Sequence, residues 1–395
     1  MTTAIIITFC SLLLTAYLFN VTATKTKIPS VILLLLLGWG VRQITVFFGF
    51  QLPDFSKILP VLATVGLILI VLEGSMELEI NTSKLGLLRK SFIGVLLSMI
   101  SLSFLFAYLF HYFGGYPFRD CLINAIPLFI ISSAIAIPSI RHLNLSQRDF
   151  LTYESSLADI IGVLFFYFFA LNDNIDYAAF GEFSLDLIII IAISFISTIV
   201  LIILLKKIDH HIKFTPIILL IILIYSISKI FHLPALIFIL LFGLSLRNID
   251  KFWRFKWISK YRMDDLEIEI HKFKELTVEG AFLIRALFFI LFGYLLKTSE
   301  VLNTKTLMWS SLIVVVVFFF RAIQLKISKL PMNPLLFVAP RGLLTILLFI
   351  TIEPLHRVDM VNNSLIIQVI LLSTIIMTFG LMVSNAKSKK VIDEA

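Results

Sequence analysis

Residues 118–140 read FRDCLINAIPLFIISSAIAIPSI, an apolar run that contains the serine pair Ser132-Ser133 and Pro138. A helix that crosses a bilayer needs about 20 mainly apolar residues, and this run has that length. Polar residues and proline inside such a run predict that the helix is interrupted within the membrane. Because an interrupted backbone is not tolerated against lipid, this segment must line protein or water.

A second interrupted run lies near the end of the chain. Residues 338–344 read VAPRGLL within the apolar run 333–352, so Pro340, Arg341 and Gly342 stand inside a span. The two runs are the fifth and the twelfth spans of the series, at equivalent places in its two halves. Interrupted helices at matching positions are typical of transporters built from two inverted repeats. The alternative is that both breaks are proline kinks without a role in function. Arg341, a charged residue beside the second break, argues against this alternative.

The chain as a whole predicts thirteen spans. They lie at about 4–23, 29–49, 57–78, 87–112, 118–140, 150–172, 183–205, 214–231, 234–247, 276–298, 303–322, 333–352 and 364–385. Spans eight and nine are short and closely joined, so a re-entrant hairpin is also possible there. The sequence predicts an all-α polytopic membrane protein of about 13 transmembrane helices, with two inverted six-helix repeats and crossing interrupted helices. The repeats are 1–172 and 214–385, and helix 183–205 links them.

The basic residues predict the orientation in the membrane. If alternate loops are cytoplasmic, beginning with the first, these loops and the tail carry 24 of the 33 Lys and Arg, and the outer loops carry 6. Basic loops face the cytoplasm, so we expect the N-terminus outside and the C-terminus inside a cell (inner) membrane. In this topology the stretch 248–275 is a linker on the cytoplasmic surface, with Trp253 and Trp257 at the membrane–water interface. Residues 386–395 form a short cytoplasmic tail.

The composition excludes several classes of protein. The chain of 395 residues is 59% hydrophobic and 15% charged, whereas soluble domains are about 25% charged. This excludes a soluble enzyme, and the net charge of +8 is explained by topology rather than by nucleic-acid binding. The two cysteines cannot build a disulfide framework or a metal site. We expect no cofactor and no nucleic-acid partner; the partners are the bilayer and the solutes that are transported.

Asp159 is the strongest candidate for a functional residue. It lies near the middle of the sixth span, and an ionisable side chain at membrane depth is costly and indicates function. Ser155 and Ser156 precede it by four and three residues, so the three side chains share one side of the helix. A carboxylate with two hydroxyl groups is a ligand set that sodium accepts. Because burial favours the neutral carboxyl form, the same site can hold a proton or a cation.

Four of the other charges within the spans are also candidates for a role in the site. Glu154 is nearer the cytoplasmic end than Asp159, and we expect it to pair structurally with Arg341 or Arg285, with direct ion handling as the alternative. Glu73, beside a glycine in the third span, is expected to be a second ligand or an access-path residue, or else an interfacial acid near water. Arg285 is expected to be a structural counter-charge in the tenth span, and Arg341 to compensate helix dipoles at the break.

At these residues the chain resembles the monovalent cation:proton antiporter superfamily, on its sodium/proton exchanger side. Four strings carry the resemblance, in the order of the family's own elements. They are LEGSMEL (72–78), ESSLAD (154–159), FFILFG (288–293) and APRGLLTILL (339–348). The family's F-E-G-G-L-E-L element aligns with Glu73, its E-S-L-F-N-D element with Glu154, Ser155 and Asp159, and its R-G element with Arg341.

The resemblance implies exchange of a monovalent cation, Na⁺ or K⁺, for protons by alternating access, with Asp159 as the shared site. It also implies a homodimer. Two departures from the family pattern stand out: Ala158 replaces the Asn before Asp159, and Ser132-Ser133 stand where the fifth span carries T-D-P. These serines and the backbone of the break remain as ion ligands. In the family a single Asp in the sixth span goes with electroneutral exchange, so electroneutral exchange is expected here.

Three other classes of function stay open at this point. An inverted-repeat transporter of an organic anion is the nearest alternative, although it would place more positive charge at the breaks than Arg341 alone. A cation channel would use the same buried acid but conduct passively. An intramembrane enzyme is the least suitable reading, because every His lies in a loop or at the end of a span.

Overall fold

The computed structural model describes residues 2–26, 28–49, 58–79, 84–140, 143–172, 177–207, 214–231, 235–249 and 263–393. Within these ranges the chain is helical, with short turns and extended connections and no strand. The α-helices are α1 (Thr2–Thr26), α2 (Ser30–Phe47), α3 (Leu59–Glu77), α4 (Leu85–Gly114), α5 (Phe118–Ala125), α6 (Ser133–Ser139), α7 (Leu145–Leu171), α8 (Tyr177–Lys207), α9 (Phe214–Ile230), α10 (Ala235–Arg247), α11 (Met263–Leu295), α12 (Thr298–Val301), α13 (Thr304–Ile327), α14 (Leu343–Thr351) and α15 (Asn363–Asp393). Short 3₁₀ turns lie at Ile126–Phe129, Leu335–Phe337 and Pro354–His356.

The helices account for the predicted spans. Ten segments of the described chain are long and apolar enough to cross a membrane. The remaining predicted spans correspond to the shorter apolar helices α9 and α10 and to the interrupted segment that ends in α14. An all-helical polytopic membrane fold is therefore confirmed, because a backbone that satisfies its own hydrogen bonds is what a bilayer demands.

Stretch 248–275 is predicted to be a separate surface linker, whereas its described part from residue 263 is continuous with a long helix. From Met263 onward it belongs to α11, which continues without a break to Leu295. Trp253 and Trp257 lie outside the described residues. The last helix, α15, likewise continues to Asp393 through most of the predicted tail.

The chain divides into two compact units. The first comprises Met1–Ala63, Leu87–Asp159 and Leu283–Ala395. In this unit α13 packs along α15, and α14 packs on the 3₁₀ turn Ile126–Phe129. Phenylalanine rings fill its interior, with Phe106 between Phe110 and Phe129. Both interrupted segments and Asp159 lie in this unit.

The second unit comprises Thr64–Gly86 and Ile160–Phe282. Here α10 packs between α8 and α9, and its residues Phe238 and Phe242 stack within the core. Arg247 at the end of α10 forms an ion pair with Glu79 at 2.8 Å. The partner helix α8 exposes Ile188, Phe195 and other large apolar side chains along its outer face, as expected of a helix that faces lipid.

Candidate functional site

Each interrupted span is two short helices joined by non-helical backbone. In the fifth span, α5 passes into a 3₁₀ turn, Ile130 and Ser132 are extended, and α6 begins at Ser133. In the twelfth span, a 3₁₀ turn ends at Phe337, and α14 begins after an extended Gly342. Helix ends inside a membrane leave backbone groups without helical partners, so these breaks are concentrations of polar groups.

The two breaks touch each other directly. The Ser132 backbone N–H donates a hydrogen bond to the Pro340 carbonyl oxygen at 2.9 Å. Gly342 lies so close to Ser132 that a Cβ atom at position 342 would collide with the Ser132 side chain. The contact therefore requires glycine for its lack of a side chain, since the extended φ of Gly342 is open to any residue. The sequence motif R-G thus has a steric reason at this position.

Asp159 lies on α7 beside this crossing. The Ser133 hydroxyl, from the first residue of α6, donates a hydrogen bond to Asp159 Oδ2. The other carboxylate oxygen, Oδ1, is buried and has no hydrogen-bond partner within the described part of the chain. No ion pair joins Asp159 to a basic side chain of the described residues. A carboxylate with one polar contact and no counter-charge is chemically available, because its ligand positions are not filled by the protein.

The two serines that precede Asp159 behave differently from each other. The Ser155 hydroxyl donates to the Leu151 carbonyl at 2.8 Å on its own helix. The Ser156 hydroxyl is buried and has no hydrogen-bond partner among the described residues. The structure thus gives Asp159 its hydroxyl contact from Ser133, across the break, and leaves the Ser156 oxygen available.

Glu154 is paired with an arginine outside the predicted partners. Arg321 on α13 donates to both Glu154 oxygens, at 3.1 and 2.8 Å, and both residues are buried. The expectation that Arg341 or Arg285 would be the partner is wrong. Arg321 stands at the end of the predicted span 303–322, beside the cytoplasm in the predicted topology, whereas α13 continues to Ile327. The spacing of Arg321 and Gln324, which puts both on one helix face, was the available signal.

Gln324 extends this pair to a third helix. Its amide donates to Glu154 Oε1 at 2.8 Å, and its oxygen accepts a hydrogen bond from Ser98 on α4 at 3.0 Å. Gly94, one turn before Ser98, makes room for the Gln324 amide, which a Cβ at position 94 would contact. Arg321 also donates to the Leu335 carbonyl at 2.7 Å, just before the second break. The buried acid is therefore fixed from several sides and its charge is compensated.

Arg341 donates hydrogen bonds to backbone carbonyls at the two breaks. Its guanidinium donates to the Leu128 carbonyl at 2.9 Å and to the Ala339 carbonyl at 2.8 Å, and its backbone N–H donates to the Ser373 hydroxyl. It is buried and lines a small cavity together with Glu154, Arg321 and Ala158. A cation at carbonyl groups that lack helical donors offsets their partial negative charge.

Two further predicted residues are half-buried. Glu73 lies on α3 in the second unit, and Arg285 lies on α11 in the first unit. Arg42, in the second predicted span, donates to the Leu295 and Leu296 carbonyls and so caps the end of α11.

Comparisons with known proteins agree with the membrane fold and with the family resemblance of the sequence. The family model described as sodium/hydrogen exchanger, transmembrane, matches residues 10–384. The structure of the sodium proton antiporter MjNhaP1 from Methanocaldococcus jannaschii at pH 8 is similar with a TM-score of 0.69 and 20% sequence identity, over 95% of this chain and 96% of that one. An electron-microscopy structure of the same antiporter gives a TM-score of 0.65 at 18% identity, over 98% of this chain and 97% of that one.

A comparison with curated protein sequences gives no match. The two solved structures are too distant in sequence to show more than the fold. The family model, in contrast, spans nearly the whole chain and includes both breaks and α7. The chain therefore belongs to the sodium/hydrogen exchanger family, and it is a cation:proton antiporter of the membrane rather than an enzyme.

Proposed function

We propose that Asp159 is the shared site at which this antiporter binds either a proton or a monovalent cation, Na⁺ or K⁺. The observation that carries the proposal is its surroundings: one hydroxyl contact, one buried free oxygen and no ion pair within the described residues. A buried carboxyl group without a counter-charge is unstable as a bare anion. It therefore holds either a proton or a cation in each half of the transport cycle, and this competition couples the two fluxes.

The ligand set around the cation consists of oxygen atoms. We assign to it the Asp159 carboxylate, the hydroxyl groups of Ser133, Ser155 and Ser156, and backbone oxygens at the break near Ser132. Oxygen ligands replace the hydration shell of a monovalent cation as it leaves water. Glu73 is proposed as a second ligand or an access-path acid.

The stoichiometry follows from the number of exchangeable charges. Ala158 precedes Asp159 and provides no second carboxylate or amide. Glu154 is neutralised by Arg321 and is proposed to have a structural role. One carboxylate that exchanges one proton for one monovalent cation moves no net charge, so exchange is proposed to be electroneutral.

Transport of an organic anion is disfavoured by the contacts of Arg341. An anion would need a free cationic group at the breaks, whereas this guanidinium already donates to two backbone carbonyls. We therefore assign to Arg341 the compensation of charge at the helix breaks, and to Arg285 a structural counter-charge. A passive channel remains an outcome that flux measurements distinguish, since a channel would carry current without proton exchange.

The setting of the exchanger completes the proposal. The distribution of basic residues favours a cell (inner) membrane with the N-terminus outside and the C-terminus in the cytoplasm. The positions of the two breaks favour two inverted repeats, 1–172 and 214–385, that alternate the access of the site. A homodimer is proposed from the resemblance to the family.

The test is ion-driven proton flux in proteoliposomes with a preset pH gradient, on addition of Na⁺, K⁺ or Li⁺. The wild-type protein should collapse the gradient with at least one of these ions and without a dependence on membrane potential. Asp159→Asn should fold and give no flux above protein-free vesicles. Ser139→Ala is a matched control, because that hydroxyl donates to the Ile135 carbonyl on α6 and is not part of the site. Wild-type flux from Asp159→Asn would refute the shared site.

A further inference from the structure

One buried threonine in the described chain differs from the others in its hydrogen bonding. Six threonine side chains are buried there, and five of their hydroxyls donate to a carbonyl three or four residues earlier. These five are Thr198, Thr277, Thr306, Thr374 and Thr378. Such back-bonding is how a buried helical hydroxyl normally satisfies itself. The sixth, Thr345, is 1% exposed, and its hydroxyl has no partner among the described residues.

The backbone just before the helix is where Thr345 differs. Thr345 is the third residue of α14, as Thr306 is of α13, and the Thr306 hydroxyl donates to the carbonyl of Asn303, the residue before its helix. The corresponding residue before α14 is Gly342, with φ −162° and ψ −141°, whereas Asn303 has φ −65° and ψ 108°. The Thr345 hydroxyl makes no hydrogen bond to the backbone of this break within the described residues, so it is left to another partner.

The direction of the Thr345 side chain brings it toward the crossing. Side chains on an α-helix tilt toward its N-terminus, which for α14 is the break. Gly342 and Thr345 are three residues apart and so lie on the same side of the helix. Gly342 contacts Ser132, and the next residue, Ser133, donates to Asp159. Thr345 thus lies in the turn of α14 that begins at the contact between the two breaks.

Five side-chain oxygens of the first unit are buried and have no hydrogen-bond partner within the described residues: Ser103 Oγ, Ser156 Oγ, Asp159 Oδ1, Thr345 Oγ1 and Gln368 Oε1. Three of these belong to α7 near its acid and to the helix after the second break: Asp159 and Ser156 are three residues apart on α7, and Thr345 is in the first turn of α14. An unsatisfied buried oxygen is costly, and oxygen ligands around a carboxylate are the chemistry that binds a dehydrated cation.

We propose that Thr345 is a further ligand of the transported cation, which its hydroxyl oxygen contacts together with Asp159 Oδ1 and Ser156 Oγ. The inference rests on the proposed function of Asp159 and extends it. It makes the second interrupted helix part of the ion site rather than only a support for the first. Because the ligand is a neutral oxygen, it acts on cation affinity and on selection between Na⁺ and K⁺, and not on proton exchange itself.

The experiment uses the full chain in proteoliposomes and compares Thr345→Val, Thr345→Ser and wild type. Valine keeps the shape of threonine and removes the oxygen, so the apparent KM for Na⁺ should rise about tenfold, the loss of one contact to a charged group. The maximal rate should change less, and Thr345→Ser should remain near wild type. Thr198→Val is the matched control, because Thr198 is buried and its hydroxyl is satisfied by the Ser194 carbonyl.

Thermal unfolding in detergent separates a ligand from a structural residue. Thr345→Val removes an unpaired buried hydroxyl, so the Tm without Na⁺ should equal or exceed that of wild type. The increase in Tm on adding Na⁺ should shrink, because weaker binding stabilises the folded state less. A lower Tm without Na⁺, together with an unchanged Na⁺-induced increase, would assign Thr345 a structural role and overturn the proposal.

Asp159→Asn, measured in the same series, distinguishes the two proposals. If it is inactive while Thr345→Val keeps the wild-type KM for both Na⁺ and K⁺, the inference about Thr345 is refuted and the shared site stands. If Asp159→Asn transports normally, the proposed function fails, and a KM change in Thr345→Val would then report a site without Asp159.

Discussion

Glu154 and Asp159 are two carboxylates on one helix, five residues apart, and they differ in what faces them. Glu154 receives two hydrogen bonds from Arg321 and one from Gln324. Asp159 receives one hydrogen bond, from Ser133, and keeps one buried oxygen free within the described residues. The two residues share the carboxylate group and the helix, so the difference in partners arises from neighbouring helices.

The comparison separates a structural acid from an exchangeable one. A bidentate arginine and an amide hold the Glu154 carboxylate as an anion, because removing its charge would leave Arg321 buried and unpaired. Asp159 has no such partner among the described residues, so binding and release of a proton or a cation leave no buried counter-charge behind. A transporter needs both kinds of acid: one that holds its helix in place, and one that binds and releases a proton or a cation in each cycle.

The largest expected contrast is in stability. Glu154→Gln leaves Arg321 without its counter-charge, and removing one member of a buried pair costs about 3 kcal/mol or more. Asp159→Asn removes a carboxylate that has no counter-charge among the described residues, so the stability of this variant should equal or exceed that of wild type. Thermal unfolding of both variants in detergent, without Na⁺ or K⁺, measures the difference.

A double substitution sharpens that contrast. Glu154→Gln with Arg321→Gln removes both charges, so it should recover part of the stability that either single change loses. A double-mutant cycle without a coupling term, or a Glu154→Gln protein as stable as wild type, would mean that the Arg321 contact does not hold α7 and α13 together.

A smaller effect is expected from the single hydroxyl that contacts Asp159. Ser133→Ala removes the hydroxyl that donates to the carboxylate and that is proposed as a cation ligand. The loss of one contact to a charged group is worth about 1.5 kcal/mol, so the apparent KM for Na⁺ should rise about tenfold. Flux as a function of Na⁺ concentration measures the change, and Ser139→Ala should leave the KM at its wild-type value. A Ser133→Ala protein with the wild-type KM would show that this hydroxyl does not contribute to cation binding.

The smallest effect is expected where a hydroxyl contacts a carboxylate in water. Tyr116, in the loop between α4 and α5, donates to Asp359 at 3.0 Å on the exposed surface. This hydrogen bond, with burial as a lesser cause, raises the pKa of Tyr116 above its usual value. The raised pKa belongs to the folded state, so the stabilisation is present at neutral pH and is lost as the pH rises above about 10.

Tyr116→Phe should therefore lower the Tm slightly at neutral pH, and the difference from wild type should disappear in alkaline solution. Tyr112→Phe, a change at an exposed ring that stacks on Tyr108, is the control and should show no such pH dependence. If the Tm difference between Tyr116→Phe and wild type grew with pH, the Asp359 carboxylate would not be accepting a stabilising hydrogen bond from the Tyr116 hydroxyl. The contrast with Ser133 measures how much burial strengthens a hydroxyl–carboxylate bond.

Prediction from sequence succeeded where a physical requirement acts along the chain. The spans follow from the length of apolar runs, and the breaks follow from Ser132-Ser133 and Pro340-Gly342 inside two of them. Asp159 is predicted to be a functional residue because an acid at membrane depth is costly unless it has a function, and this stays a prediction. Each of these signals is local and needs no knowledge of which helices are neighbours.

Prediction failed where the partner lies on a distant helix. Arg321 stands at the end of the predicted span 303–322, and its side chain is buried against an acid 167 positions earlier in the chain. Thr345 carries no signal in the sequence, because a threonine in an apolar helix normally satisfies itself. Only the structure shows that its hydroxyl has no acceptor within the described residues.

The sequence by itself determined that this is an all-helical membrane protein with two interrupted spans and a buried acid. The reason is that every residue within a bilayer must be apolar or have its polar groups satisfied by the protein. The tertiary structure alone decided which acid is neutralised and which remains available. That decision rests on Arg321, Gln324 and Ser133, whose side chains reach α7 from α13 and α6. Charge compensation is a property of neighbours in space, and a linear pattern does not record it.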